Sequence, residues 1–503
     1  MSTMPPLAVM LQNLQKRRFQ KKGSLLEFQA IESPVGGGVQ KVGVLFSGGP
    51  ASGGHNVIVG LLQALKTLHP KSTLVGFLGG PGGLVGGQSI DLTEEVVMPY
   101  LNRGGFDLLG SGRTKIETPE QFASIAKVIR THSLDGIVFI GGDDTATNAY
   151  QLSRYLQEQQ IKTTIVACPK TIDGDLRTKD LELSFGFDTA TKVYSEMIGN
   201  LCIDGRSSRK YWHFVKLMGR SASHVTLECA LQTQPNLALI GEEVAHRKDS
   251  IHDIVRQMAD VMEARYRAQK NYGVILIPEG LLEFVPEMKG LIEELNTLLA
   301  KKQSVDALSS HHLELFQELP EDIKGQLLAK RDAHGNVALS QIETEKFFAA
   351  LVIQELQKRN AKMAEALVPV FHFYGYEGRC SVPSIFDRTY CFNLGYIAAL
   401  LVRDQITGTM AAIRGLCKAS DTWQGLGIDL AGMVHQEERN GVMKEVIAKA
   451  LVDLKGGAFT LFSAKRGEWQ VEDCYQSPGP MQVVNDEALQ VPLTLQKNAP
   501  ICK

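Results

Sequence analysis

The sequence predicts an α/β protein whose two parallel-sheet domains share a cleft, and three observations predict it. Short runs that are apolar throughout end repeatedly in glycine, as in "KVGVLFSGG" (41–49), "STLVGFLGG" (72–80), "LDGIVFIGG" (134–142) and "YGVILIPEG" (272–280). Helix-period stretches such as "HNVIVGLLQALKTLH" and "ASHVTLECALQTQ" lie between such runs. Strands apolar on both faces, alternating with amphipathic helices, imply parallel sheets covered on both sides. Finally, the 503 residues exceed the ~250–300 at which a single core stops growing.

Element by element, residues 1–40 precede the first strand and read as an N-terminal arm with a basic helix around "LQKRRFQKK". Residues 41–187 form the first α/β domain, completed by part of 378–503. Residues 188–377 form the second and contain a helical insertion at 281–365, where "EMKGLIEELNTLLAKKQS" and "IETEKFFAALVIQELQKRNAKMAEAL" are charged and helix-patterned with little strand signal. Residues 378–503 supply further helices and strands that pack on both domains. No low-complexity linker separates the halves, which is why a shared cleft is expected.

Composition excludes several classes. Hydrophobic residues are 44% and charged residues 21% of the chain, an ordinary soluble balance. Lys+Arg total 53 against Asp+Glu 55, so no net field points to nucleic acid or an anionic membrane. Apolar runs such as "LGYIAALLV" fall short of the ~20 residues that span a bilayer. The start carries its charges after its apolar part and has no small-residue cleavage site, which argues against a secretory signal. Eight cysteines are scattered without a C-x-x-C, so buried thiols in a reducing cytoplasm are expected, not zinc or disulfides. The adjacent His311–His312 pair lacks metal-ligand spacing.

Chemistry gathers at the strand ends, where ligands of parallel sheets sit. "FSGGPASGGHN" (46–56) leaves a strand and opens a helix, so its amides either cradle a phosphate or serve only a tight packing turn. It is not a Walker A loop, because no Lys-Ser/Thr follows the glycines. "LLGSGRTK" (108–115) offers Arg113 and Lys115 as a second phosphate contact or a solvated turn. "FIGGDD" (139–144) places Asp143 and Asp144 where an anion would be repelled. "ACPKTIDGDL" (167–176) brings Lys170, Thr171, Asp173 and Asp175 to one strand end, where an acid could accept a proton while a cation neutralises phosphoryl oxygens. Three further strand ends follow: Met218, Gly219 and Arg220; Glu279 of "VILIPEG"; and Tyr376 and Arg379 of "VFHFYGYEGR". Singly, each is more often a structural cap or a surface charge.

In order, these loops closely resemble the phosphofructokinases. Gly-Gly-Asp, Thr-Ile-Asp-x-Asp, Met-Gly-Arg, Pro-Glu-Gly and Gly-x-x-x-Arg stand at 141–143, 171–175, 218–220, 278–280 and 375–379. The set spans residues 41 to about 380, roughly two-thirds of the chain. Gly-Gly-Asp-Asp at Gly141–Asp144 and Pro-Lys-Thr-Ile-Asp-Gly-Asp at Pro169–Asp175 resemble the pyrophosphate-dependent branch, and the arm and insertion resemble its long form. One departure is "SGGPASGGHN", with Pro50 and Ser52 where the branch has "GGQAPGGHN" or similar.

The resemblance implies two Rossmann-like domains and Mg²⁺-dependent, reversible phosphoryl transfer from pyrophosphate to the 1-hydroxyl of fructose 6-phosphate, a glycolytic reaction. It implies that Asp143 serves Mg²⁺, Asp173 is the base and Lys170 stabilises the transferring group. Asp144 would occupy the place of the α-phosphate of ATP and bar it by bulk and charge. Gly48, Gly49 and Arg113 would bind pyrophosphate. Thr171, Ile172, Asp175, Met218, Gly219, Arg220, Glu279, Tyr376 and Arg379 would bind the sugar phosphate. Lys210 and Tyr211 would reach a neighbouring subunit's site, implying a homodimer or larger homo-oligomer in the cytoplasm. Three rivals stand beside this reading, and one of them, a plain nucleotide- or phosphate-binding module, is opposed by the ordered sugar-site residues. An ATP-dependent enzyme of the same fold is opposed by Asp144 and Lys170, and a non-catalytic regulatory subunit is opposed by the presence of Asp173 and Arg220.

Overall fold

The computed structural model describes residues 17–22, 25–30, 38–329, 337–338, 341–439, 442–483 and 491–499. They fall into two compact units. One takes the chain as far as Ala190 and resumes for Glu377–Ala450; the other runs Thr191–Tyr376 and Leu451–Met481. The C-terminal stretch is thus divided between the two units, and most of it belongs to the first.

In chain order the strands are β1 (Arg17–Lys22), β2 (Leu25–Ala30), β3 (Lys41–Phe46), β4 (Thr73–Phe77), β5 (Ser89–Asp91), β6 (Gly136–Gly141), β7 (Thr164–Thr171) and β8 (Phe185–Gly186). They continue as β9 (Trp212–Leu217), β10 (Leu237–Ala238), β11 (Gly273–Pro278), β12 (Pro369–Tyr374), β13 (Thr409–Arg414), β14 (Gln424–Asp429), β15 (Val434–Arg439) and β16 (Val442–Ile447).

The main sheet of the first unit has the spatial order β1-β2-β14-β13-β7-β6-β3-β4-β5, with β8 paired to β7. Strands β4, β3, β6, β7 and β13 run parallel. Every residue of β6 is buried, and β3 and β7 each have only one partly exposed end residue, as strands covered on both faces require. β3 has β4 on one side and β6 on the other, so the winding reverses between β3 and β6 and opens a crevice at their carboxyl ends. The register sets Phe46 beside Ile140 and Gly141 beside Pro169. The loops leaving β3, β6 and β7 therefore emerge side by side.

The helix that follows β3, Gly54–Leu68, is held by the helix Ile385–Arg403 at very close range. A Cβ on Gly60 would stand 2.1 Å from the Phe392 carbonyl oxygen, and one on Gly395 2.2 Å from that of Val57. Only glycine permits that approach at either position.

The basic N-terminal stretch, expected as a helix, is strand from Arg17 onward. β1 and β2 form an antiparallel hairpin that extends the main sheet through β14. The reason is a period of two: Phe19 is buried between exposed Arg18 and Gln20, and its ring meets Phe28 at 5.2 Å. The Phe19 N–H also donates to Asp404 at 3.0 Å.

The second unit holds a parallel sheet of order β10-β11-β9-β12. Between β11 and β12 the chain forms the helices Leu281–Phe284, Pro286–Ala300, Ser310–Glu318, Glu321–Ala329, Thr344–Arg359 and Ala361–Glu365. Lys216 on β9 ties this insertion to the sheet. Its buried ammonium donates to the Ile342 carbonyl at 2.9 Å and lies 3.7 Å from Glu345 and 4.4 Å from the Phe373 ring centroid. Among the described residues no helix is long and apolar enough to cross a membrane. The described cysteines are free thiols, but not all are buried as expected: Cys380 and Cys417 are exposed, because both lie in surface turns after an element has ended.

Candidate active site

In the first unit the expected phosphate loop is stitched to its neighbours by its backbone. The Ser47 N–H donates to Ile140 and the Gly48 N–H to Gly112, both at 2.9 Å, and the Ser111 hydroxyl donates to the Gly48 carbonyl. Gly48 has φ 81°, a left-handed conformation that favours glycine. Three cations converge here. A Cβ on Gly48 would lie 3.3 Å from the Lys170 ammonium, and one on Gly49 3.1 Å from Arg379 Nη1 and 3.8 Å from Arg113 Nη2. The helix that follows has no side-chain cap and no acidic residue in its first turn, a further attraction for an anion.

The "HN" of "GGHN" has a role that sequence reading did not assign. Buried His55 places Nδ1 3.1 Å from the Arg103 carbonyl and accepts the Leu108 N–H at Nε2, 3.4 Å away, so Nδ1 carries the proton. Burial outweighs the pull of Asp107 and keeps the imidazole pKa below its usual value. Asn56 exchanges hydrogen bonds with Asn102 at 2.8 and 2.9 Å. Together they fasten the 102–108 loop, and through it Arg113, to the start of the helix.

Asp143 and Asp144 are the first two residues of the helix Asp143–Glu158, where its dipole favours negative charge. Their carboxylates serve different places. Asp143 lies 3.4 Å from Lys449, and although burial opposes its charge, Lys449 holds its pKa below the usual carboxylate value. Asp144 heads a concavity of ≈ 680 Å³ that runs along its own helix past Asn148 and Gln151 to Arg154. The walls include Lys115 and Phe122 on one side and Glu445 of β16 on the other. A space of that size is within the range of small-molecule sites.

At the end of β7, Lys170 is 8% exposed. Burial lowers its pKa to about 8 against the opposing pull of Asp173 and Asp143. The Asp173 N–H donates to the Thr171 hydroxyl at 3.1 Å, and Ser184 donates to the Thr171 carbonyl at 3.1 Å, which together shape the turn. Ile172 and Asp175 are buried beneath it. Burial and the neighbouring Asp173 raise the Asp175 pKa to about 7.

No group of three or more His, Cys, Asp or Glu that could hold a metal exists among the described residues. The hard oxygens of Asp143, with Asp175 close enough to feel its charge, instead fit an ion that takes one or two carboxylates and completes its shell with substrate phosphates. That is the habit of Mg²⁺.

In the second unit, adjacent parallel strands bring the expected sugar residues together. β9 ends before Met218–Arg220 and β11 before Glu279, and the Gly219 N–H donates to Glu279 Oε2 at 3.0 Å. The Glu279 N–H donates to the Leu217 carbonyl at 2.9 Å, and the Met218 N–H to that of Tyr374 at 3.0 Å. Tyr376 follows β12 and is exposed. Lys210 and Tyr211 stand at the opposite, amino end of β9. A six-residue strand separates them from Met218 by about 20 Å, at ~3.3 Å per residue. Arg379, expected among the sugar residues, instead lies in the first unit with its guanidinium against Gly49. Lys449 was not expected at all: it follows a hairpin late in the chain and carries no motif.

The pattern that describes the phosphofructokinase family matches residues 41–402. The chain is 48% identical over 465 residues to a pyrophosphate–fructose 6-phosphate 1-phosphotransferase subunit beta of Solanum tuberosum, covering 91% of this chain and 82% of that protein. It is 45% identical over 481 residues to the pyrophosphate–fructose 6-phosphate 1-phosphotransferase of Treponema pallidum, covering 92% and 84%. A solved pyrophosphate-dependent phosphofructokinase from Nitrosospira multiformis superposes with a TM-score of 0.57 over 88% of this chain and 96% of that one, at 15% identity, a likeness of fold. On the family match and these two relatives, the chain belongs to the phosphofructokinase family.

Proposed function

We propose that the chain transfers a phosphoryl group reversibly from pyrophosphate to the 1-hydroxyl of fructose 6-phosphate, giving fructose 1,6-bisphosphate and orthophosphate. The relatives named above support the reaction. The observation that carries the choice of donor is Asp144, whose carboxylate stands at the head of a groove roomy enough for a nucleoside. The groove is not filled, so a nucleotide would be refused by charge and bulk at its entrance.

Phosphoryl transfer needs positioning and charge neutralisation more than covalent help. Asp173 takes the proton as the sugar 1-hydroxyl oxygen forms its bond to phosphorus, and the bridging P–O bond breaks to release orthophosphate. Lys170, Arg113 and the Gly48–Gly49 amides offset charge on the transferring oxygens. Asp143 would hold Mg²⁺, which would supply further charge neutralisation when bound. Met218, Gly219, Arg220, Glu279 and Tyr376 are assigned to the sugar phosphate, with Thr171, Ile172 and Asp175 shaping the turn that presents Asp173. Arg379, beside Gly49, is assigned to the phosphate groups. The distance of Lys210 and Tyr211 from Met218 supports their serving another subunit's site in a homo-oligomer. The test is turnover of fructose 6-phosphate with pyrophosphate against ATP, both with Mg²⁺. Preference for ATP would remove the reading.

A further inference from the structure

Lys449 lies outside the motifs that mark the family, yet its ammonium ends among the acids around Lys170. It stands 3.4 Å from Asp143 and its charge also acts on Asp175. The backbone on either side is pinned: the Ala448 N–H donates to the Met433 carbonyl at 3.2 Å, and the Ala450 N–H to the Asp175 carbonyl at 2.6 Å. The side chain itself keeps 29% exposure, so a flexible four-carbon stem can move its charge while its root stays fixed. Two cations are therefore assigned to one carboxylate, the ammonium now on Asp143 and the divalent ion of the proposed reaction. They repel each other unless an anion lies between them.

We propose that Lys449 is a positioning residue for the metal, engaging Asp143 in the absence of donor and yielding it when pyrophosphate brings the ion. Its ammonium then turns to the donor's oxygens. This rests on the proposed function, which places a divalent ion on Asp143. The consequence is an order of events: the ion binds the free protein weakly and the protein–pyrophosphate complex well. Lys449 would thus prevent the ion from settling on Asp143 ahead of its substrate.

The test uses Mn²⁺ as the ion, followed by electron paramagnetic resonance, and imidodiphosphate as an unreactive donor. In Lys449→Met the free protein should bind Mn²⁺ roughly fivefold more tightly, the upper range for losing one partly exposed charge pair. Imidodiphosphate in the presence of Mn²⁺ should bind tenfold or more weakly, on the scale of a lost charge-assisted hydrogen bond. Lys449→Arg, which keeps the charge, should retain the wild-type order. A merely structural lysine would weaken both ligands together. Unchanged or weaker Mn²⁺ binding to free Lys449→Met overturns the proposal, as does undiminished affinity for imidodiphosphate. If the wild-type protein turns over pyrophosphate and binds Mn²⁺ with imidodiphosphate, such a result removes Lys449 alone. If the wild-type protein does neither, the functional reading falls and this proposal falls with it.

Discussion

Lys170 has to be protonated to neutralise phosphoryl oxygens, and its burial makes that a pH-dependent condition. Desolvation, opposed by Asp173 and Asp143, brings its pKa from an ordinary 10.5 to about 8. The difference corresponds to roughly 3 kcal/mol against the charged form. Because the unfolded chain keeps the higher pKa, it binds more protons than the folded protein between about pH 8 and 10.5. Folding is therefore penalised by this group below about pH 8, and the penalty is relieved as pH rises through that window. Activity moves the opposite way. With a pKa of about 8, the charged fraction falls from about nine-tenths at pH 7 to about one-tenth at pH 9, so kcat/KM for pyrophosphate should drop about tenfold. Bound anion raises the pKa, so kcat should hold to higher pH. The assay is the pH profile of wild type against Lys170→Arg, whose guanidinium stays charged. Titration of the substrate is common to both and cancels in the ratio. A wild-type to Lys170→Arg ratio that stays flat from pH 7 to 9 would refute the role given to this ammonium.

Three other expectations can be checked by mutation. Asp173→Ala should lower turnover by at least ~10²-fold, the low end for a positioned base, with an unchanged melting temperature; near-normal turnover would take Asp173 out of the mechanism. Gly49→Ala puts a methyl group 3.1 Å from Arg379 Nη1, so that guanidinium must give by a few tenths of an ångström, while Arg113 Nη2 at 3.8 Å stays in ordinary contact; KM for pyrophosphate should rise, by up to roughly tenfold, and an unchanged KM would separate Gly49 from the donor. Mixing Lys210→Ala subunits with Asp173→Ala subunits should recover part of the activity, because Lys210 lies about 20 Å from its own Met218 at ~3.3 Å per residue; no recovery in subunits shown to exchange would argue against a shared site.

Much of the site was legible because parallel sheets put chemistry at strand ends. The runs "VGVLF", "GIVFIG" and "IVAC" are apolar throughout, and the structure places each in a buried strand. Their adjacency was not legible, since it depends on β3 lying between β4 and β6. The N-terminal hairpin was misread because "RRFQKK" contains too few apolar residues for its period to show, and only Phe19 against Phe28 reveals it. Lys449 escaped for a related reason: it reaches Asp143 from a segment distant in the chain, and a single charged residue there carries no spacing to read. Arg379 was legible from Gly-x-x-x-Arg, but its approach to Gly49 was not. His55 reads in the sequence as part of a glycine loop, and only its contacts with Arg103 and Leu108 disclose what the ring does.

The choice of donor rests on one carboxylate, so the most direct measurement is the ratio of kcat/KM for pyrophosphate to that for ATP in wild type and in Asp144→Gly. A like charge a few ångströms from a phosphate costs on the order of several kcal/mol when partly buried, and the groove beyond Asp144 has space for the rest of a nucleotide. Wild type should strongly favour pyrophosphate. In Asp144→Gly the ratio should collapse from both sides, with ATP turnover appearing and pyrophosphate turnover falling as the first turn of the helix Asp143–Glu158 loses a favourable charge and gains a glycine. If Asp144→Gly still excludes ATP and uses pyrophosphate undiminished, the carboxylate is not what selects the donor.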